Sequence, residues 1–510
     1  MSYLIWFSHH KKYNECKLTE LKSLLETFGC DTNDNLKEIF LGENKDKYRD
    51  ECCIKVNISN EELWKNVISR SILVTGAIEI WAEGETYDDV LEDLMKKKKL
   101  FENTLNNKKW CFYFNSFGKI CNQQEKTGKM NFFNILLENY KNVDLLNYEV
   151  QLGLLEEYGL KHNSTLKKIF FGKCIAVRKY NHSLIYNKCI DMKNDNKKDS
   201  NVNNNNSDKD ICKKKSSNPK VIWWTHYALN RRPILGPTTT DNELAFIMCN
   251  IAKIKKGHIV LDPFVGSGGL LMNCSIFNTI CIGNDIDIRL LKGYKLSYLN
   301  PHMQHKCNKK NIFKNFNYFN LTIPDIIVSD NSKPVWNFIH KPWVDAIVTD
   351  PPYGKRATVR VSTKKKNKSY NSNGKNQIDY VKTDIFFEDN TNVENQTNVE
   401  NQTNVENQTN VENNTNNNIK KEKTKSLLNT ETVYNCKSAV EDLLNIASHT
   451  IVDNGMLVFL YPIHLDRIEK EIELLKHQDF YLISHDLQVL TSYSGRFVVS
   501  MQRKCRKNAT

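Results

Sequence analysis

The sequence predicts an α/β protein, with a seven-stranded, mostly parallel sheet in the second half of the chain and a smaller α+β region before it. Three observations carry this. The apolar run Ile259-Val260-Leu261 leads into the turn Asp262-Pro263-Phe264-Val265-Gly266-Ser267-Gly268-Gly269, then a helical stretch from Leu270 to Phe277 and a second strand from Thr279 to Gly283. Strand, helix and strand at that spacing make a βαβ unit. Next, two further strand-like runs also end on acids: Pro324 to Val328 before Ser329-Asp330, and Val344 to Thr349 before Asp350-Pro351-Pro352-Tyr353-Gly354. Last, Phe480 to Ser484 and Arg496 to Met501 lie close together, as the strands of a terminal hairpin would, so one edge strand is expected to run backwards.

Taken in order, residues 1–185 alternate strand-like and helix-like segments. Tyr3 to Phe7 reads as a strand, Leu18 to Phe28 as a helix with Leu21, Leu24 and Leu25 on one face, and Ile72 to Val74 with Ala77 to Trp81 as strand material. Tyr87 to Lys97 reads as a helix, Trp110 to Phe114 as a strand and Phe132 to Leu137 as part of a helix. Ile169 to Gly172 with Cys174 to Val177 reads as a hairpin. No paired catalytic residues stand out here, so a binding or positioning module is expected. Residues 186–218, rich in Asn, Lys, Asp and Ser, read as a flexible linker.

Order is expected again over 219–360. Thr240-Asp241-Asn242-Glu243 fits a capping box, with Thr240 as the cap of a helix carrying Leu244, Ile247, Met248 and Ile251. Residues 361–428 break the domain; the hexapeptide Thr-Asn-Val-Glu-Asn-Gln starts at Thr391, Thr397 and Thr403 and varies at Thr409. One apolar residue per repeat cannot build a β-helix core, so this tract is expected to be disordered. The domain resumes over 429–505 with a helix from Ala439 to Ile451, a strand from Met456 to Leu460 and a helix from Asp466.

Composition narrows the function classes. The chain has 510 residues, a net charge of +13 and 15 cysteines, none in a CxxC pair. The cysteines fit reduced, partly buried thiols in a cytosolic or nuclear protein, with the cytoplasm the expected location, better than a disulfide scaffold, and the charge favours a polyanionic partner. His302, His305 and Cys307 read as a solvated loop rather than a metal site, and no metal is expected. No run is long and apolar enough to span a membrane. Met1 to Phe7 is apolar, but Lys11 and Lys12 follow it, the reverse of a signal peptide.

The two loops carry the chemistry. The Asp262–Gly269 turn lacks the Gly-Lys-Ser/Thr ending of a P-loop, and Leu271 stands where the dinucleotide fingerprint needs its third glycine. What remains is a wider glycine turn that lets backbone approach a ligand, with Asp285 beyond it placed to accept the ribose hydroxyls of an adenosyl ligand. In the other loop, Asp350 and the Pro351 carbonyl can accept both N–H bonds of an exocyclic amine and turn its lone pair toward an incoming methyl. The prolines hold the backbone still, and the Tyr353 ring offers a face for a base. Methylation at carbon 5 of a pyrimidine would need a cysteine nucleophile, usually after proline, and none of the 11 prolines precedes Cys.

Asp262 to Gly268 together with Asp350 to Gly354 resembles the class I S-adenosylmethionine-dependent methyltransferases that modify amino nitrogens. Arg232 to Thr238, Gly283-Asn284-Asp285-Ile286-Asp287, Gln488 and Gly495-Arg496 are similar, more narrowly, to the catalytic subunits of eukaryotic tRNA guanine-10 N2-methyltransferases. Ser69 to Leu73, Ile78 to Gly84 and Ile169 to Arg178 extend the resemblance toward the N-terminus. It implies a Rossmann-like class I methyltransferase fold after a THUMP-type RNA-binding region, methylation of guanosine N2 in tRNA, and a small zinc-binding activator subunit as partner. By position it implies S-adenosyl-L-methionine held by Asp262, Pro263, Gly266, Ser267, Gly268, Asp285, Ile286 and Asp330. Asp350, Pro351, Pro352 and Tyr353 would act on the base. An amino-methyltransferase acting on ribosomal RNA guanine, or on adenine or cytosine in DNA, is the alternative.

Overall fold

The computed structural model describes residues 2–8, 11–32, 51–159, 165–178, 222–237, 239–294, 296–298, 310–336, 341–352, 360–362, 430–433 and 436–506. The tract read as linker, the insertion from residue 363 onward, the His302–Cys307 cluster, and Tyr353 with Gly354 lie outside them.

The first half forms a six-stranded sheet from β1 (Tyr3–Phe7), β2 (Cys53–Val56), β3 (Val74–Gly84), β4 (Trp110–Phe117), β5 (Val150–Tyr158) and β6 (Leu166–Val177), in the order β2-β1-β3-β6-β5-β4. Only β4 and β5 pair in parallel; the other neighbours are antiparallel. Helices α1 (Lys17–Thr27) and α2 (Glu61–Arg70) bury Leu21, Leu24, Leu25, Trp64 and Val67 against the β1 side, and α3 (Tyr87–Met95) with α4 (Lys98–Leu105) cover Trp81 and Phe171. The expected hairpin at 169–177 is one strand. Gly172 does not turn there; it lets β3 approach, because a Cβ would sit 1.8 Å from the Glu79 carbonyl oxygen.

The second half forms the seven-stranded sheet. Its strands are β8 (Ile259–Asp262), β9 (Ile280–Asp285), β11 (Asp325–Val328), β12 (Val344–Thr349), β13 (Ile451–His464), β14 (Phe480–Val489) and β15 (Ser494–Arg503). The short β7 (Ile234–Leu235) and β10 (Ser297–Tyr298) pair apart from it. The order is β11-β9-β8-β12-β13-β15-β14, parallel throughout except for β15. The reversed strand is therefore not at the edge: the last strand of the chain inserts between β13 and β14. Helix α5 (Asn242–Ile251) is buried on nearly every face, and α6 (Gly269–Ser275) and α7 (Cys436–Thr450) also cover the sheet.

The halves share a core. Tyr13, Cys16, Ile72 and Leu73 from the first pack with Trp223, Trp224 and Phe246 from the second. At its centre Glu20, fully buried, accepts from Ser71 Oγ at 2.7 Å, Leu73 N at 2.9 Å, Ile72 N at 2.8 Å and Asn250 Nδ2 at 2.7 Å. Arg70 donates to Asn250 Oδ1 at 2.9 Å, and Thr19 to Asp486 Oδ1 at 3.0 Å. Among the described residues no helix is long and apolar enough to cross a membrane.

Candidate active site

The strand order reverses direction between β8 and β12: β9 and β11 lie on one side, β13 on the other. In open α/β sheets a crevice forms at such a point, outside the carboxyl ends of the strands. Four of the predicted acids stand there, since Asp262 closes β8, Asp285 closes β9, Asp330 follows β11 and Asp350 follows β12.

Asp262 joins the two loops. Its Oδ1 accepts the Thr349 hydroxyl at 2.6 Å, from the residue just before Asp350, and the backbone N–H of Phe264 at 3.0 Å inside the glycine turn. Only 1% of Asp262 is exposed. Burial, with smaller repulsion from Asp285 and Asp350, pushes its carboxyl up to about 7, and the two hydrogen bonds only partly offset this.

The glycine turn is held from below and from the side. Gly266 donates to Asp285 Oδ2 at 2.8 Å, while Asp285 Oδ1 accepts from Asp287 N at 2.8 Å. Gly268, at φ +77°, closes the turn by donating to the Val265 carbonyl at 2.8 Å, a conformation that suits glycine. Gly283 beneath it is needed for space: a Cβ there would lie 2.2 Å from Val265 Cγ2. Ser267 Oγ lies 3.2 Å from Thr239 Oγ1, which ties the turn to the segment before α5.

On the far side, Asp330 Oδ1 accepts the N–H of Ser332 at 3.0 Å and its hydroxyl at 2.8 Å. Asn331 bridges the strand ends, accepting from Asn284 Nδ2 at 2.7 Å and donating to the Pro263 carbonyl at 2.6 Å. Asn284 Oδ1 and Ser329 Oγ are buried with no hydrogen-bond partner, polar atoms of the kind a ligand satisfies. Asp442 on α7 has a buried, unpartnered Oδ2, and its carboxyl is raised to about 6 by burial and then by the Asp330 charge. Neither Asn331 nor Asp442 is expected from the sequence.

Asp350 Oδ2 accepts the Thr240 hydroxyl at 2.8 Å. Thr240 is therefore not the cap of α5. Asp241 takes that role, accepting from Glu243 N at 3.1 Å and Leu244 N at 3.3 Å. Pro351 is buried and Pro352 half-buried; Ile286 sits between Asp285 and Asp287 in the turn after β9. The arrangement brings Asp262, Gly266, Ser267, Gly268, Asp285 and Asp350 together. Tyr353 lies outside the described residues.

Several carboxylates converging on a glycine turn suit a ligand that carries positive charge and hydroxyl donors. Among the described residues no group of three or more His, Cys, Asp or Glu is placed to hold a metal. A cleft of about 660 Å³ lined by Asn445, His449, His477 and Arg503 opens at the opposite ends of the strands, where β13 begins, and takes no part in this site.

The chain matches the family described as Tmrp11 THUMP N-terminal domain over residues 1–179 and the RMKL-like methyltransferase domain over residues 230–313. It is 27% identical over 499 residues to the Xenopus laevis tRNA (guanine(10)-N(2))-methyltransferase TRMT11, covering 96% of this chain and 82% of that protein. The Dictyostelium discoideum protein of the same name is 25% identical over 98% of this chain and 82% of its own, and the human one 24% over 97% and 86%. The resemblance drawn from the motifs holds over nearly the full length.

Proposed function

We propose that this chain transfers a methyl group from S-adenosyl-L-methionine to the exocyclic N2 amine of a guanosine in tRNA, at guanine-10. The observation that carries the reading is the Thr349–Asp262 hydrogen bond at the switch point, which locks the loop ending β12 against the glycine turn ending β8. One loop is suited to a sulfonium donor, the other to an amine. The relatives named above supply the substrate.

The residues fit that cofactor. Asp285, which accepts the backbone N–H groups of Gly266 and Asp287, is a carboxylate suited to the ribose hydroxyls, with Ile286 beside it. Pro263, Gly266, Ser267 and Gly268 of the glycine turn would hold the cofactor together with Asp330, and Asp262 would supply negative charge to it. When bound, the cofactor supplies an electrophilic methyl group.

The chain's own work is on the amine. Guanine N2 is a weak nucleophile because its lone pair is delocalised into the ring. Asp350 and the Pro351 carbonyl accept its two N–H bonds, which turns the lone pair out of conjugation and toward the methyl. Pro351 and Pro352 fix that geometry in advance. Tyr353 stacks on the base for roughly 1–3 kcal/mol. A target inside a helix is first flipped out.

In this reading residues 1–185 are the THUMP-type RNA-binding region, and 219–360 with 429–505 the methyltransferase domain, joined by 186–218 and interrupted by 361–428. A small zinc-binding subunit completes the enzyme in the cytoplasm. Purified chain, with and without that subunit, is incubated with labelled cofactor and transcript tRNA. N2-methylguanosine in the digest supports the reading; its absence in both arms overturns it. Product on ribosomal RNA or DNA instead would favour the alternative substrates.

A further inference from the structure

The residues that bond Asp350 belong to a short path leading back to the first sixteen residues of the chain. Tyr13, only 1% exposed, donates its hydroxyl to Asp241 Oδ1 at 2.8 Å, and Lys12 Nζ reaches Asp241 Oδ2 at 3.4 Å. Burial and the Asp241 carboxylate hold the Tyr13 phenol well above its usual range, so it remains a donor. The same contacts hold the Asp241 carboxyl below its usual range despite its burial, so it remains an acceptor. Asp241 also caps α5, an otherwise fixed helix, and its immediate neighbour Thr240 donates to Asp350.

We infer that Thr240 is a positioning residue for Asp350, and that the N-terminal module orients that carboxylate through Tyr13 and Asp241. The chemistry requires such a device. An amine must meet the carboxylate at one oxygen and the Pro351 carbonyl at the other N–H, and a carboxylate free to rotate about its Cβ–Cγ bond would lose that match. The Thr240 hydroxyl, donating to Oδ2 at 2.8 Å, helps to set that rotation. The Thr240 backbone is set in turn by its neighbour's cap, and the cap carboxylate is gripped from the other module on both oxygens. The module that would receive RNA and the residue that would hold the amine are thus two short hydrogen bonds and one peptide unit apart. Thr240 is a threonine in a Thr-x-x-Glu pattern, yet its hydroxyl serves Asp350 rather than the helix end. Asp241 caps α5 unaided, which leaves Thr240 available for this role.

The inference rests on Asp350 being the amine-holding group, and the variants separate the two. Thr240→Val keeps shape and removes the hydroxyl, Thr240→Ser restores it, and Tyr13→Phe removes only the phenol oxygen. Methylation of transcript tRNA by the complete enzyme is measured for each. Thr240→Val is expected to lower kcat about tenfold or more, the loss of one hydrogen bond to a charged group, with KM for tRNA and cofactor within about twofold. Thr240→Ser is expected to recover most of kcat. Tyr13→Phe is expected to lower kcat severalfold, and the Thr240→Val/Tyr13→Phe double variant to match Thr240→Val alone, because both act on the same carboxylate. Wild-type kcat in Thr240→Val, a fall that Ser does not repair, or multiplying effects in the double variant overturns the inference. Asp350→Ala is run beside them: if it too is fully active, the amine-holding role itself fails; if it is inactive while Thr240→Val is normal, only the positioning role does.

Discussion

Asp262→Asn tests the electrostatics on which the site is built. In the free protein the carboxyl is pushed up to about 7 from an ordinary 3.8, chiefly by burial, with smaller contributions from Asp285 and Asp350. A folded-state value above the unfolded one means the native chain holds the proton more tightly, so stability falls as pH rises through the window between roughly 4 and 7. Integrated across that window, the ionised carboxylate costs at most about 4 kcal/mol, of which roughly 2–3 kcal/mol accrues between about pH 5 and about pH 8. Asn keeps the acceptor that Thr349 and Phe264 use, at 2.6 and 3.0 Å, and cannot ionise. Urea unfolding of ligand-free protein across that pH range should therefore show the variant gaining on the wild type by roughly 2–3 kcal/mol toward the alkaline end. The same variant should bind cofactor less tightly, since the charge that destabilises the empty site is the one a sulfonium would meet. A stability difference that stays constant from about pH 5 to about pH 8 would refute this reasoning, because it would place the carboxyl's titration outside the window.

Other predictions follow from the same geometry. Asp350→Ala should reduce kcat at least tenfold, losing a hydrogen bond worth roughly 1.5–3 kcal/mol in the transition state, while calorimetry shows cofactor affinity little changed. Binding of S-adenosyl-L-methionine near pH 7 should release on the order of half a proton as the ligand charge draws the Asp262 value down; S-adenosylhomocysteine, without the sulfonium, should release less, and titration in buffers of different ionisation enthalpy reads the difference. Gly268→Ala should destabilise by about 1–2 kcal/mol from its φ of +77°, since the new methyl would meet Phe316 Cε2 at an ordinary 3.5 Å; equal denaturation midpoints would contradict this. Glu20→Ala should cost roughly 3–5 kcal/mol, because it orphans donors from Ser71, Ile72, Leu73 and Asn250 in the shared core, and a thermal melt within a degree or two of wild type would show that the core repacks around the loss.

Much of the site is readable because its chemistry sits where local sequence is most informative. Apolar runs that stop at an acid or a glycine turn report strand ends, and strand ends build a crevice in this topology. β8, β9, β11 and β12 thus match their expectations closely. The residues that mislead are those whose partners lie far along the chain. Thr240 fits a capping box as well as Asp241 fits a plain cap, and what decides between them is Asp350, 110 residues away. Asn331 and Asp442 carry no motif; their meaning comes from Asn284 and Asp330 across the sheet. β5 is absent from the sequence expectation altogether. It is buried on both faces, which erases the alternation that marks a strand, and its fully buried Glu156 looks like surface until Tyr87, Lys129 and Tyr158 are seen to bond it at 2.6, 2.6 and 3.1 Å. At Gly172 the same glycine that suggests a turn instead admits a neighbouring backbone.

The central claim is that the Asp262 turn and the Asp350 loop together move a methyl group onto guanosine N2. It is tested most directly by incubating the chain, with the proposed activator subunit, and transcript tRNA with labelled S-adenosyl-L-methionine, then mapping the modified nucleoside by mass spectrometry of nuclease fragments. N2-methylguanosine at guanine-10, lost in a transcript with adenosine at that position and in the Asp350→Ala enzyme, is the predicted result. Methyl transfer to a different atom or nucleotide, or undiminished transfer by Asp350→Ala, would contradict it.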